Sequence, residues 1–299
     1  MMNSPPSPHA PDGKPDAVFH FSLGPVQEFV GQARRTRDYW AASFLLSWLC
    51  GVAQLAAQAL GARILHPQAA PGWLERLQGK GDLSAAAACH GALPNRFSAL
   101  VSAQFDGAAV ARAVREAWQA LGQHALQTSG LTLDAAAQAV WRRQFGLPPL
   151  LQAAPQNKHG KAPKAASQSA PGFWDAQWLI LPAHSTDARR ILDARKQWPS
   201  HWPPKEGGVQ CSLMPGWQEI SGAPDPEPFW QEARRPGVLD WRVSARECLS
   251  APALLKRLFD RDFASFRHRM QVDASHSLDL CGWEVAADVP STLHLAALP

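Results

Sequence analysis

The residues most able to do chemistry lie where a predicted strand meets a predicted helix. Residues 17–23 alternate in the way a β-strand does. A Gly-Pro step follows, and it suits a turn and the first position of a helix, which the sequence predicts over 25–60. The unpaired N–H groups and the positive dipole end of such a helix would form an anion site. The residues at this predicted site are Gly24, Pro25, Val26 and Gln27.

A charged run lies further along the predicted helix. It contains Arg34, Arg35, Thr36, Arg37 and Asp38, and its guanidinium groups have the fork geometry that binds phosphates. The alternative is structural: Arg34 pairs with Asp38 at i, i+4, and the other side chains face water. The spacing alone favours this structural interpretation.

Several common catalytic motifs are missing from the sequence. A palm that transfers nucleotides needs carboxylates near the end of its first strand and on its central hairpin to hold two metal ions. The hairpin region offers only Glu75 and Asp82, which are not paired. None of the eleven histidines precedes an aspartate, and neither a G-x-S-x-G elbow nor a Walker loop occurs. The single D-x-D, residues 260–262, is interpreted as a solvated helix end, so no catalytic residue is assigned.

Composition narrows the class of protein. The 299 residues are 46% hydrophobic, which is enough for one large domain or two ordinary ones, and the net charge is 29 − 25 = +4. Such a mild bias does not by itself predict a nucleic-acid binder. No run of apolar residues is long and uninterrupted enough for a membrane span, and no signal peptide is recognisable. Five widely spaced cysteines argue against a disulfide framework, which favours a cytoplasmic protein.

The predicted elements indicate an α+β fold. Residues 1–16 are predicted to be a disordered leader. Residues 17–182 follow the order β-α-β-β-α-β, which is that of a ferredoxin-like unit. A flexible loop is predicted within this unit, over 146–172. Residues 183–299 are predicted to be mainly helical and irregular, with helices over 187–198 and 244–259. The apolar run at the end of the sequence suggests a truncated or split product.

Residues 21–49, FSLGPVQEFVGQARRTRDYWAASFLLSWL, resemble the opening of the large, Cas10-class subunit of type III-B CRISPR effector complexes. Further similar blocks follow in the expected order at 93–101, 210–222, 246–259 and 289–299. The resemblance therefore spans nearly the whole chain after the leader. It implies a palm-like, ferredoxin-like first domain followed by a helical or zinc-bearing insert.

The same resemblance implies how the complete subunit works. Such a subunit has an optional nuclease domain, two palms and a Gly-Gly-Asp-Asp turn in the second palm, and it makes cyclic oligoadenylate from ATP held between the palms. This sequence shows neither the nuclease domain nor the second palm. Cys211 is at most the remnant of a zinc ligand, because Met214 stands where a second cysteine would fall, and no metal site is expected.

The resemblance thus implies a non-catalytic palm that contributes to antiviral defence, effector assembly and one side of an inter-palm ATP site. The expected partners are other effector subunits, CRISPR RNA, target RNA, and a second palm or split half. The alternative is a stand-alone nucleotide-binding or docking module that no longer joins the effector. The residues expected at the nucleotide-binding or inter-palm surface are Gly24, Pro25, Val26, Gln27, Arg34, Arg35, Arg37 and Asp38.

Overall fold

The computed structural model of the chain describes residues 16–80, 91, 93–149, 172–185, 187–197 and 205–285. The predicted leader and the predicted flexible loop lie almost entirely outside these ranges, as does the final block at 289–299. The described ranges contain both helices and antiparallel strands, and the α+β class predicted from the sequence is confirmed.

The strands form a four-stranded antiparallel sheet and a separate two-stranded hairpin. They are β1 (Ala17–Gly24), β2 (Arg63–His66), β3 (Arg96–Val101), β4 (Asp175–Pro182), β5 (Arg267–Gln271) and β6 (Ser277–Cys281). The sheet order is β2-β3-β1-β4, and every neighbouring pair is antiparallel. This order is compatible with the ferredoxin-like unit that the sequence predicts. The β5–β6 hairpin was not predicted.

Seven α-helices are present in the described part of the chain. They are α1 (Thr36–Ala59), α2 (Trp73–Leu77), α3 (Gly107–Ser129), α4 (Ala135–Phe145), α5 (Ala188–Gln197), α6 (Glu227–Ala233) and α7 (Ala251–Asp262). Helices α1 and α3 pack against each other and against the sheet, and α7 packs against both. The short helices α2 and α6 were not predicted from the sequence.

Local sequence signals explain where several helices begin and end. The carboxylates of Asp106 and Asp134 accept hydrogen bonds from backbone N–H groups in the first turns of α3 and α4, at 3.1 and 2.8 Å. Both helices end at a glycine with positive φ, Gly130 at 75° and Gly146 at 67°. The predicted start of α7 at residue 244 is wrong. The helix begins at Ala251 because a proline follows in its first turn, where its missing N–H has no cost.

Helix α1 is apolar on nearly all sides. By length and mean hydropathy (1.5) it qualifies as a membrane span, contrary to the expectation from the sequence, but 89% of the qualifying stretch is buried within the protein. A helix that is hydrophobic all round and covered by other elements is a core helix. The sheet, α3 and α7 cover it here.

One continuous hydrophobic core runs from β1 to the residues after β6. Phe44 of α1 contacts rings from beyond residue 183, with centroids 5.1 Å from Phe259 and 5.6 Å from Trp283. The buried amide of Gln144 in α4 accepts the N–H of Ala251 at 2.7 Å and so holds the start of α7. The elements after β4 are therefore packed into the same core as the sheet, and α7 contacts the junction of β1 and α1.

Candidate functional site at the junction of β1 and α1

The junction between β1 and α1 does not continue as one long helix. β1 ends at Gly24, and the Gly24–Pro25 peptide is cis. The chain then forms a five-residue π-helical turn, Gln27–Gly31, and α1 begins only at Thr36. The predicted helix over 25–60 is confirmed from Thr36 to Ala59 but is wrong over 25–35, and the anion site predicted at its N-terminus is not formed in that way.

Tertiary contacts explain why the helix is interrupted. The buried ring of Phe29 packs edge-on against Trp118 and Trp174, with centroids 5.8 and 4.9 Å away. The carbonyls of Phe29 and Gln32 accept hydrogen bonds from Lys256 Nζ, at 2.5 and 3.0 Å. These carbonyls are thus satisfied by a side chain from α7 rather than by the next turn of a helix.

Lys256 is fully buried, and its ammonium lies 4.4 Å from the centroid of the Phe29 ring. Burial lowers the pKa of Lys256 from 10.5 to about 8. The two carbonyls and the ring face compensate part of the cost of burying this cation. Lys256 therefore fixes the turn between β1 and α1 from more than two hundred residues away in the sequence.

Asp38 is buried at the start of α1, where one of its oxygens accepts the backbone N–H groups of Arg34 and Arg35, both at 3.1 Å. This carboxylate satisfies two N–H groups where α1 begins, and it complements the helix dipole. Its other oxygen lies 2.5 Å from Nε of the buried Arg257. The predicted i, i+4 ion pair between Arg34 and Asp38 is replaced by this longer-range pair with α7.

Arg257 joins two buried carboxylates. Its Nη2 donates to Asp38 at 3.1 Å and to Glu247 at 2.8 Å, and its Nη1 donates to the carbonyl of Arg242 at 2.7 Å. Burial alone would raise the pKa of Glu247, but hydrogen bonds from Arg257 and Ser244 hold that pKa below its usual value. Each of these three charged groups therefore lies beside a group of opposite charge.

The remaining charged residues of the run also face the later part of the chain. Arg35 lies 3.5 Å from Glu247, and Arg37 donates to Asp260 at 3.1 Å. The Asp260 side chain is only 3% exposed and also accepts from Arg242 at 2.6 Å. The prediction that residues 260–262 form a solvated helix end is therefore wrong, because Asp260 faces Arg37 and Arg242, and Asp262 is buried beside Arg261.

The surface of the junction consists of fewer residues than the sequence suggested. Gln27 and Arg34 are exposed, and Gly24, Pro25 and Val26 are partly exposed. Among the described residues, the Arg34 guanidinium has no ion pair. Apart from its two chain neighbours, none of the described residues has a heavy atom within 4 Å of the point where a side chain on Gly24 would begin, so the backbone there is open to close approach.

Sequence reasoning missed the partners of the charged run. Lys256, Arg257 and Glu247 all fall in the 246–259 block, and two adjacent cations inside an otherwise apolar helix were the available signal. Asp175 was missed as well. It lies opposite Gly24 in the register of β1 and β4, and its side chain accepts from Gln177 at 2.7 Å.

The cysteine in the 210–222 block has a local role. Cys211 is buried, and its sulfur accepts the backbone N–H groups of Leu213 and Met214 at 3.4 and 3.2 Å. In the part of the chain that the structure describes, no three histidine, cysteine, aspartate or glutamate side chains group as metal ligands. A tetrahedral zinc site needs four such ligands, so the described residues do not fit one.

Residues 18–123 match the family described as CRISPR-associated protein Cmr2, N-terminal. This match confirms the resemblance to the Cas10-class large subunit for the segment from β1 to most of α3. A comparison with curated proteins gave no match. The Cmr2 N-terminal segment contains the whole junction but not its partners in α7.

Two solved structures are similar over a longer part of the chain. One is described as a type III-B Cmr-beta structure in the apo state, with 14% identity, a TM-score of 0.47 and coverage of 82% of this chain and 32% of that one. The other is Cmr-beta bound to cognate target RNA, with 12% identity, a TM-score of 0.41 and coverage of 81% and 32%. The chain spans about a third of the length of those chains.

Replacing Arg257 tests the buried cluster. Arg257→Met keeps the aliphatic volume but leaves Asp38 and Glu247 buried without their cation, so the free energy of unfolding should fall by about 3–5 kcal/mol. Urea unfolding of the purified chain measures this change. The control is Arg34→Met, an exposed residue without an ion pair, which should change stability by less than about 0.5 kcal/mol. Equal effects of the two variants would contradict the assigned role.

Lys256 should make stability depend on pH in the alkaline range. Its pKa is about 8 in the folded chain and 10.5 in the unfolded one, so between these values the unfolded chain binds more protons. The contribution of Lys256 to the free energy of unfolding therefore rises with pH, by at most about 1.4 kcal/mol per pH unit. The measurement compares urea unfolding of wild type and Lys256→Met from pH 7.5 to 10. Parallel curves for the two proteins would show that Lys256 does not titrate in this window.

Proposed function

We propose that the chain is the N-terminal palm part of a type III-B CRISPR effector large subunit. In this role it joins other effector subunits, CRISPR RNA and target RNA, and it contributes to antiviral defence. The observation that carries the proposal is the Cmr2 N-terminal match over residues 18–123, which includes three strands of the sheet and the complete β1–α1 junction. The continuous core supports treating the later elements as part of the same functional unit.

This palm is proposed to be non-catalytic by itself. Two-metal nucleotidyl transfer requires several carboxylates at one place to hold the ions. Next to the end of β1 the described residues supply Asp175, and no group of three possible metal ligands occurs among them. A second palm, on another chain or on a split half, would have to supply the metal-binding carboxylates.

The surface of the β1–α1 junction is the proposed nucleotide-facing side of this palm. The open backbone at Gly24 allows close approach, and the exposed Arg34 supplies a cation for the phosphates of ATP. Arg35, Arg37 and Asp38 hold the junction against α7 and are assigned a positioning role. The proposed ATP surface is therefore Gly24, Pro25, Val26, Gln27 and Arg34.

Reconstitution tests membership in the effector. The full chain is co-expressed with the other type III-B subunits and a CRISPR RNA, and the tagged chain should co-purify with that RNA. The chain alone, given ATP and Mg²⁺ or Mn²⁺, should make no cyclic oligoadenylate. A soluble chain that never associates with the RNA assembly would favour the stand-alone docking module instead. Synthesis by the isolated chain would contradict the non-catalytic assignment.

The ATP surface is tested by comparing two arginines of the same run. Arg34→Ala removes the exposed cation and should weaken ATP binding about five- to tenfold, as expected for one charge-assisted contact, without changing stability. Arg37→Ala breaks the contact with Asp260 and should instead lower the free energy of unfolding by about 1–3 kcal/mol. Calorimetric titration with ATP and urea unfolding of both variants provide the readouts. Unchanged ATP affinity in Arg34→Ala would remove this residue from the site.

A further inference from the structure

A cleft of about 720 Å³ lies at the opposite end of α1 from the junction. Its walls come from the last turns of α1, strand β2, helix α2 and the loop between them, and Leu278 of β6 closes one side. This volume is within the range of ligand-binding sites in proteins. Neither the family match nor the charged cluster around Arg257 accounts for it.

A buried amide marks the wall of this cleft. Gln54 of α1 is only 1% exposed. Its Nε2 donates to the carbonyl of Pro67 at 3.0 Å, which fixes the orientation of the side chain, while its Oε1 has no hydrogen-bond partner. A buried acceptor left without a donor is costly. Gln54 is one of the residues that line the cleft, and its Oε1 is covered, so a bound N–H group reaches this oxygen through a small movement of the wall.

Strand β2 adds backbone hydrogen-bonding groups beside the cleft. It is the terminal strand of the sheet and pairs with β3 on one side only. At its other side no backbone hydrogen bond is formed by the described residues. Arg63 and Ile64 of this strand line the cleft. An exposed strand edge is a template onto which another extended chain can pair.

The composition of the walls indicates which class of molecule fits. One cation, Arg63, and one carboxylate, Glu75, line the cleft, so the formal charge of the lining is zero. None of the described residues that line it is aromatic, whereas single-stranded nucleic acid is bound by cationic grooves with aromatic stacking. Three further glutamines and several aliphatic side chains complete the walls: Gln58, Gln68, Gln78, Leu55 and Leu74. Amides and apolar surface beside a strand edge suit an uncharged polypeptide.

We propose that this cleft binds an extended, mainly uncharged polypeptide segment of a partner protein, which adds a strand to the outer edge of β2 and donates an N–H to Gln54. The inference rests on the proposed effector function, because the partner is expected among the subunits that assemble with the chain. It assigns a protein-binding surface to the end of the palm that faces away from the ATP surface.

The test uses the full chain in the reconstituted effector. A photo-cross-linking residue replaces Gln58, which is exposed and lines the cleft, and in a control it replaces Gln127, which is exposed on α3 and does not line it. Mass spectrometry then locates the adducts. Cross-links from position 58, and not from position 127, to one short segment of a partner subunit are the expected result. Adducts to RNA or to this chain's own residues, or no adduct in an assembled complex, would overturn the proposal.

A second measurement links the adduct to the buried amide. Gln54→Leu removes the acceptor with little change of volume and should lower the yield of the position-58 adduct about tenfold, whereas Gln127→Leu should leave it unchanged. An unchanged yield in Gln54→Leu would overturn the role of the amide. If the chain does not co-purify with the CRISPR RNA assembly at all, the proposed effector function fails, and this outcome is distinct from assembly without a cross-link.

Discussion

The buried contact between Asp38 and Arg257 is the interaction on which the rest of the molecule depends. Both side chains are removed from water, which is expensive for either charge alone. The geometry compensates this cost by giving Asp38 two backbone N–H donors at the start of α1 and giving Arg257 a second carboxylate and a carbonyl. The pair can therefore form only when α1, α7 and the segment around Glu247 are all in place.

This constraint gives the β1–α1 junction its shape. The neighbouring Lys256 binds the carbonyls of the π-helical turn, and Arg257 sets the start of α1, so two adjacent residues of α7 hold both sides of the break. The surface of the junction then retains an open glycine backbone and one exposed arginine. The residues exposed at this surface are thus held in position by the buried residues Lys256 and Arg257.

Elements whose side chains alternate or repeat in the sequence were predicted well. The strand predicted over 17–23 is observed as β1, and the helix predicted over 187–198 is observed as α5, because their local signals agree with the final packing. The junction was not predictable in this way, because a Gly-Pro step before an apolar run favours a helix locally. Only contacts with Lys256 and Phe29 interrupt that helix. Likewise, the run from Arg34 to Asp38 indicated phosphate binding or a local ion pair. Its spacing did not show that its partners lie on α7.

The long sequence separation of these contacts also constrains how the protein is made. Asp38 and Arg257 are 219 residues apart, and at bacterial or eukaryotic rates of synthesis that distance takes on the order of ten to forty seconds to translate. During this interval the nascent sheet region has emerged from the ribosome, but the start of α1 holds an uncompensated carboxylate, and the apolar α1 lacks α7 to cover it. Helix α1 therefore stays partly uncovered until α7, β6 and the residues after β6, all of which contact it, have been translated.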